Sequence, residues 1–493
     1  MYFIQTLLFY MFFFNNHITL NNCYDGVVVQ YYPYESEAGS ERIRTNINGY
    51  RRELEELKTK NIGASIVVFP EYGLTGKTAE PEIYSMELPE NWNDKNLYLD
   101  NIFKLSALAE EHDVYLVVNL LEMAKQKENN NVDYFNTNVV FDRKGYIIKT
   151  YRKINLGEKE TNLTAGNEVS SFSTDFGVKF GLITNEDLFS VNPSESILQD
   201  EAIKDVIAPM SWENHFPFEI STSIQSGYAK ANNINVLASS LSKPVLKISG
   251  GGFYGTYSTS WISGFNSTKS VNFQSDKVGN LSSFVGKAGR ALPNEDTLKP
   301  LNITNNIKNY VNNIHTDEFG MDSKKVELNL NEGATCIGEV DYTDNSDQDI
   351  FIRASLLNTT KQIGRKTFKI ATCLIYMCDS EDIETCGNRL DKYPNLKYNK
   401  LRLVLEFTKN QQTDIQRPLT YTNDLKPIEN YSFVNNGTNQ WIIEASNLNE
   451  AVLVFGIETR TEIVNELNPN SAPRINVTLF CLAVMLIIIK VVN

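Results

Sequence analysis

Glu71, Lys153 and Asn185 each stand at or just past the end of a short β-prone run. A carboxylate in such a place can act as a general base, and an ammonium can stabilise a negative charge that develops during a reaction. Asn185 offers no comparable chemistry, because the lone pair of its amide nitrogen is delocalised into the carbonyl. The pattern therefore predicts that Glu71, Lys153 and residue 185 converge in one pocket that lacks an attacking group.

Several segments between residues 25 and 330 resemble the carbon–nitrogen hydrolase (nitrilase) superfamily, in particular its vanin/biotinidase branch. Members of this branch are secreted amidases that act on pantetheine and biotin amides, and the resemblance implies a related fold and site here. Its segments are 67–73 around Glu71, 134–142, 150–156 around Lys153, 177–187 around Asn185, Pro209–Trp212 and the glycine run Gly250–Gly252, expected as a loop at the pocket rim.

The resemblance also implies a role for each site residue. In the family a cysteine thiolate attacks the amide carbon, a glutamate transfers protons and a lysine stabilises the oxyanion. Glu71 thus takes the base position, Lys153 the oxyanion position and Asn185 the nucleophile position, so that the cysteine is lost. Glu186 replaces the usual aromatic neighbour, and its charge would oppose an oxyanion if it pointed inward. Glu160 falls near a second family glutamate, in a loop that otherwise matches poorly.

Three functions are compatible with these residues. In the first, amide hydrolysis is lost and the old pocket binds a small pantetheine- or biotin-type amide. In the second, a replacement nucleophile or a water keeps the protein an active amidohydrolase. In the third, the chain is a glycosylated cell-surface interaction protein, and Glu71 and Lys153 survive only as a buried ion pair. We expect no cofactor and no metal, and the sequence indicates no particular protein partner.

Strands alternate with helices in the first part of the chain, which predicts an α/β layered core over residues 24–330. The resemblance sharpens this core to a four-layer α-β-β-α sandwich. The predicted helices are 42–59, 102–112 and 217–231, and the predicted strands are 65–69, 114–120, 139–141, 146–151, 178–184, 205–209 and 234–238.

The C-terminal part of the chain contains repeated β-like segments, which predict a second, β-rich domain over residues 331–468. Its position matches the C-terminal domain of vanin-like proteins. Four cysteines fall in this domain and indicate disulfides, with three connectivities open. A zinc site is disfavoured, because no Cys-x-x-Cys pair occurs and no histidine is near. The four cysteines are Cys336, Cys373, Cys378 and Cys386.

The net charge of −14 argues against nucleic acid as a partner.

Both ends of the chain indicate an extracellular protein. Residues 1–23 resemble a signal peptide, with a buried N-terminal strand as the alternative. Residues 469–493 end in an apolar run of 13 residues, shorter than the roughly 20 of a spanning helix. We therefore predict a removed glycolipid-anchor (GPI) signal, with a membrane helix as the alternative, and a place outside the plasma membrane. The glycosylation candidates are Asn162, Asn266, Asn280, Asn302, Asn358, Asn430 and Asn436.

Overall fold

Strands and helices alternate through the first domain, as the periodicity predicts. The computed structural model describes residues 24–78, 80–126, 131–255, 259–262, 269–278, 288–291, 303–319, 324–330, 333–346, 349–407, 414–437 and 439–463. The α-helices are α1 (Gly39–Thr59), α2 (Pro81–Tyr84), α3 (Asp100–His112), α4 (Val191–Ser194) and α5 (Ser221–Asn232). Short 3-10 helices occupy Lys95–Leu97, Asn185–Phe189, Ser196–Gln199, Pro244–Leu246, Ile307–Asn313 and Ile383–Thr385.

The strands before residue 306 form the first domain's sheet and one small two-stranded pair. They are β1 (Tyr24–Tyr31), β2 (Ile66–Val68), β3 (Met86–Glu87), β4 (Tyr115–Lys125), β5 (Val132–Phe141), β6 (Ile147–Arg152), β7 (Ser170–Ser173), β8 (Lys179–Leu182), β9 (Asp205–Met210), β10 (His215–Phe216), β11 (Asn235–Leu241), β12 (Gly251–Tyr254), β13 (Thr259–Ile262), β14 (Lys269–Val278), β15 (Ala288–Ala291) and β16 (Thr304–Asn305).

Nine of these strands hydrogen-bond in the order β6-β5-β4-β2-β1-β11-β9-β8-β7. The central pairs are parallel, with Val27 opposite Val67 and Val67 opposite Leu116. In parallel sheets built from strand–helix units, the carboxyl ends of the strands lie at one edge, where ligands bind. β2 and β8 therefore deliver the residues that follow them to the same edge of the sheet.

Alternating residues of each strand enter different apolar cores, which shows the layers directly. Val27 and Val29 pack with α1 and α3 in one core. Val28 packs instead with residues of the other half of the sheet, such as Phe180 and Ile207. A third core lies between that second half and α5. The first domain is therefore the predicted four-layer α-β-β-α sandwich.

The second domain is a β-sandwich of two five-stranded sheets. Its strands are β17 (Ile314–Glu318), β18 (Lys325–Asn329), β19 (Ala334–Asp344), β20 (Phe351–Ile363), β21 (Lys366–Cys378), β22 (Leu396–Phe407), β23 (Ile415–Thr422), β24 (Ser432–Asn435), β25 (Gln440–Leu448) and β26 (Val452–Glu462). The strand orders are β17-β20-β21-β26-β23 and β18-β19-β22-β25-β24. Disulfide Cys336–Cys373 joins β19 to β21 across the two sheets, and Cys378–Cys386 closes a short loop of separation 8.

Several boundaries differ from the sequence expectation; β5, for instance, begins at Val132 rather than at residue 139, and two other differences have a cause in the packing. β17 and β18 precede residue 331 yet belong to the second domain, because their short alternating pattern buries residues such as Val326 and Leu328 in its core. Helix α5 begins at Ser221 rather than at residue 217. The reason is that Phe218 and Ile220, just before it, are drawn into the core of the second domain.

Helix α5 is the main contact between the two domains, and all its residues from Ser221 to Ala229 are buried. The Thr222 hydroxyl donates to the Leu425 carbonyl at 2.8 Å. Gly227 lets the second domain approach closely, since a Cβ there would lie 2.3 Å from the Pro418 carbonyl oxygen. The described residues up to Glu462 accordingly form one compact unit.

Several localisation predictions fall outside the described residues. These are the segments 1–23 and 469–493 and the sequons at Asn266, Asn280 and Asn302. Within the described part of the chain, no helix is long and apolar enough to cross a membrane. Asn358 is half-buried on β20, whereas the remaining candidates are exposed. The exposed ones are Asn162, Asn430 and Asn436.

Candidate active site

Glu71, Lys153 and Asn185 meet at the sheet edge, where the sequence predicts that they converge. Glu71 follows β2, Lys153 directly follows β6, and Asn185 opens the 3-10 helix after β8. Glu71 Oε1 lies 2.7 Å from Lys153 Nζ, and both side chains are buried. Ser211 links Asn185 to Glu71. Its N–H donates to Asn185 Oδ1 at 3.2 Å, and its hydroxyl donates to Glu71 Oε2.

Lys153 contacts three carboxylates. Besides Glu71, Glu160 Oε2 accepts from Nζ at 2.9 Å. Glu186 Oε2 lies 2.5 Å from Nζ, an ion-pair distance without hydrogen-bond geometry. Burial alone would lower the pKa of Lys153, but the three carboxylates together hold this pKa well above its ordinary value. The ammonium is therefore held in its charged form by these carboxylates, which also compensate its charge.

Glu71 and Glu160 differ in their protonation behaviour. Burial raises the pKa of Glu71 to about 7, against the pull of Lys153 and with a further upward push from Glu186 and Glu160. Burial would also raise the pKa of Glu160. Lys153 and hydrogen bonds from Tyr72 and Asn136 outweigh it and bring this pKa to about 2. Glu71, unlike Glu160, can thus take up and release a proton near neutral pH.

Three asparagines on β4 and β5 hold the carboxylates in place. Asn136 Nδ2 donates to Glu71 Oε1 and to Glu160 Oε1, each at 2.8 Å. Asn119 Nδ2 donates to Asn136 Oδ1 at 2.6 Å and to Asn138 Oδ1 at 2.9 Å. Sequence reasoning assigned these asparagines no role. The feature that could have identified Asn136 and Asn138 is their spacing of two residues, which places both side chains on one face of β5.

The turn that carries Asn185 is fixed from below by Asp187. Asp187 Oδ2 accepts from the Tyr151 hydroxyl at 2.6 Å and from the Thr184 N–H at 2.9 Å. Asn185 itself has φ +43°, a left-handed conformation that asparagine tolerates better than most residues. Burial raises the pKa of Asp187 to about 6, with the Tyr151 hydrogen bond acting against it. This support presents Asn185 and Glu186 to the cavity.

The site opens into a cavity of about 310 Å³. Its floor has three carboxylates and one ammonium. Trp212 lies beside it and packs at a tilt of 38° against Phe189, with the ring centroids 4.6 Å apart. The rim carries three glutamates and three lysines, so the net negative charge resides in the floor. The rim residues are Glu158, Glu213, Glu219, Lys77, Lys159 and Lys361. The glycine run Gly250–Gly252 was expected at this rim. It leads into β12 instead and does not line the cavity, because β11 and β13 pair with that strand.

Comparison with known proteins agrees with this architecture. The Carbon-nitrogen hydrolase family model matches residues 27–203, and the Vanin C-terminal domain model matches residues 308–463. Vanin-like protein 2 of Drosophila melanogaster is 26% identical over 451 residues, which cover 83% of this chain and 82% of the relative.

Two mammalian relatives match about half of the chain or less. Biotinidase of Bos taurus is 31% identical and covers 46% of each chain. Pantetheinase of Bos taurus is also 31% identical, over 39% of this chain and 41% of its own length. The α-β-β-α sandwich with a vanin-type second domain defines a carbon–nitrogen hydrolase homologue. Residues 27–203 and 308–463 of this chain therefore carry a carbon–nitrogen hydrolase domain and a vanin C-terminal domain, and the chain is similar to vanin-like proteins, biotinidase and pantetheinase.

Proposed function

We propose that this protein has lost amide hydrolysis and uses the retained cavity to bind a small polar ligand. The observation that carries the proposal is the pair of residues at the strand end: Asn185 occupies the nucleophile position, and Glu186 places a carboxylate oxygen 2.5 Å from Lys153 Nζ. Both changes act against acyl transfer, one by removing the attacking atom and the other by opposing the oxyanion.

The nucleophile position holds a group that cannot be activated as a thiol can. A cysteine becomes a nucleophile when its proton is removed, whereas a carboxamide nitrogen has no available lone pair. The side-chain oxygen of Asn185 is also engaged, since it accepts a hydrogen bond from the Ser211 N–H. Among the described residues that line the cavity there is no cysteine.

The positive charge of Lys153, which takes the oxyanion position, is neutralised by carboxylates before any substrate binds. In the family's division of labour, the lysine ammonium faces the developing negative charge. Here Lys153 already contacts Glu71, Glu160 and Glu186. A further negative charge on a substrate would meet a floor whose net charge is negative, which raises the energy of a tetrahedral intermediate.

The same charge distribution indicates which ligand the cavity accepts. A neutral amide, or a ligand with a cationic group, suits the floor better than a carboxylate does. The relatives named biotinidase and pantetheinase suggest pantetheine- and biotin-type amides as probes. Titration calorimetry should detect binding of the biotin amide and weaker or no binding of biotin itself, which differs by its carboxylate. Equal affinity for the two compounds would contradict this preference.

Hydrolysis is tested with the purified ectodomain and fluorogenic pantetheine- and biotin-type amides. We expect no turnover above buffer, while an active pantetheinase run in parallel reports that the assay works. Turnover that survives rigorous purification and disappears in Glu71→Gln would overturn the proposal.

A second candidate is an amidohydrolase with Ser211 as nucleophile, which the hydrogen bond from the Ser211 hydroxyl to Glu71 Oε2 favours. Ser211 Oγ would attack the amide carbon and pass its proton to Glu71, which would protonate the leaving amine; water would then hydrolyse the ester. The compensated charge of Lys153 disfavours this route. Turnover that is abolished by Ser211→Ala and unchanged by Asn185→Asp would establish it.

We further propose that the protein is secreted, N-glycosylated and held on the cell surface by a C-terminal glycolipid. The sequence pattern of residues 1–23 and 469–493 supports this placement. Two disulfides are typical of an oxidising compartment. Phosphatidylinositol-specific lipase should release the protein from intact cells. Retention after treatment, with a peptide from residues 480–493 still present, would indicate a membrane helix instead.

A further inference from the structure

A hairpin of the second domain reaches into the cavity of the first. Strands β20 and β21 pair up to Ile363 and Lys366, so Gly364 and Arg365 form the tight turn between them. Residues 361–364 of this hairpin line the cavity together with Glu71, Lys153 and Asn185. The site is therefore built from both domains.

The tip of the hairpin is seated on the loop that carries Glu160. The Arg365 N–H donates to the Leu156 carbonyl at 3.1 Å, and its guanidinium donates to the carbonyls of Glu160 and Leu163. Gly364 has φ +59°, and a Cβ there would lie 2.4 Å from the Leu156 carbonyl oxygen. Only glycine permits this approach, which brings the two backbones into direct contact.

Two further contacts fix the side of the hairpin against the first domain. Lys361 Nζ forms an ion pair with Glu219 at the rim, and both side chains are largely buried. Ile363 is buried in the apolar core that includes Phe189 and Ile224 of the first domain. Between these two anchors, Gln362 is exposed and lines the cavity, and its side-chain amide donates to the Gly364 carbonyl at 3.1 Å. The hairpin is thus held at three points and forms a rigid wall.

We propose that residues 361–365 are a size-selecting wall, so that the second domain determines which ligands reach Asn185. Backbone contacts set the height of the wall, and the side chains of Lys361 and Gln362 set the width of the opening. Such a wall would select ligands whether or not the protein hydrolyses them.

The experiment uses a thiol at residue 185 as a reporter of access. Asn185→Cys is treated with iodoacetamide or with a bulky fluorescein maleimide, and mass spectrometry measures modification of the peptide that contains residue 185. Rates are normalised to those of the same protein in denaturant. We expect the normalised preference for the small reagent to be at least about tenfold, equivalent to roughly 1.4 kcal/mol of steric exclusion.

Changes in the wall should move this preference in opposite directions. Lys361→Ala with Gln362→Ala should admit the bulky reagent and reduce the preference several-fold, whereas Gln362→Trp should increase it. Lys324→Ala, an exposed lysine of the second domain outside the cavity, serves as the matched control and should change nothing. Ser211→Cys replaces Asn185→Cys as reporter if the latter does not fold. Equal normalised rates for both reagents, unaffected by all wall variants, would overturn the assignment.

Discussion

Removing the charge of Glu186 should raise the activity of an Asn185→Cys variant. Glu186 Oε2 lies 2.5 Å from Lys153 Nζ, so an oxyanion held by this ammonium would stand close to the carboxylate. At about 4 Å and an effective dielectric constant of about 20, two like charges repel by roughly 4 kcal/mol. Since 1.36 kcal/mol corresponds to tenfold in rate, the upper bound of the gain is about a thousand-fold.

Four variants separate this charge effect from others. The kcat/KM for a pantetheine-type amide is compared between Asn185→Cys alone and its combinations with Glu186→Gln, Glu186→Phe and Glu158→Gln. Glu186→Gln removes only the charge, and Glu186→Phe restores the family's aromatic neighbour. Glu158→Gln removes a carboxylate from the exposed rim and is the matched control.

We expect both Glu186 combinations to exceed the single variant by about a hundred- to a thousand-fold, the range associated with one oxyanion donor. The Glu158 combination should stay within a few-fold of it. The acid limb of the pH–rate profile should also move to lower pH, because Glu186 is one of the charges that raise the pKa of Glu71. If Glu186→Gln gives no more activity than Glu158→Gln, the charge argument is wrong.

Three further outcomes follow from the structure. Because burial raises the pKa of Glu71 to about 7, the folded state binds the proton of this carboxyl more tightly than the unfolded state does. The free energy of unfolding, measured in urea, should therefore fall as the pH rises from about 5 to 7. The fall should be less steep in Glu71→Gln. Replacing Cys336 and Cys373 by alanine, with a loop separation of 37, should cost about 4 kcal/mol in urea, against about 2.5 kcal/mol for the disulfide of separation 8. Glycosidase treatment in heavy-oxygen water should mark the exposed sequons and leave half-buried Asn358 unmarked; full occupancy at Asn358 would contradict the burial argument. The exposed sequons are Asn162, Asn430 and Asn436.

The convergence of Glu71, Lys153 and Asn185 was predictable because each follows a short β-prone run, and strand ends meet at one edge of a layered sheet. Glu160 was less visible, since its position depends on the loop to which Arg365 binds, 205 residues further along the chain. The second domain's contribution to the cavity could not be predicted for the same reason. Local periodicity describes which face of a strand is apolar, but it carries no information on which distant turn will cover a cavity.

Helix α5 has a consequence for the order of events during synthesis. Its buried face is completed by residues such as Leu425, whose carbonyl accepts a hydrogen bond from Thr222 and which lies 203 positions further along the chain. At about 5–20 residues per second, a ribosome needs roughly 10–40 s to add that length of chain. Throughout this interval the nascent first domain presents an uncovered surface to its surroundings. We therefore expect a chain truncated before β23 to aggregate rather than to fold as an isolated first domain, because the buried face of α5 would stay uncovered.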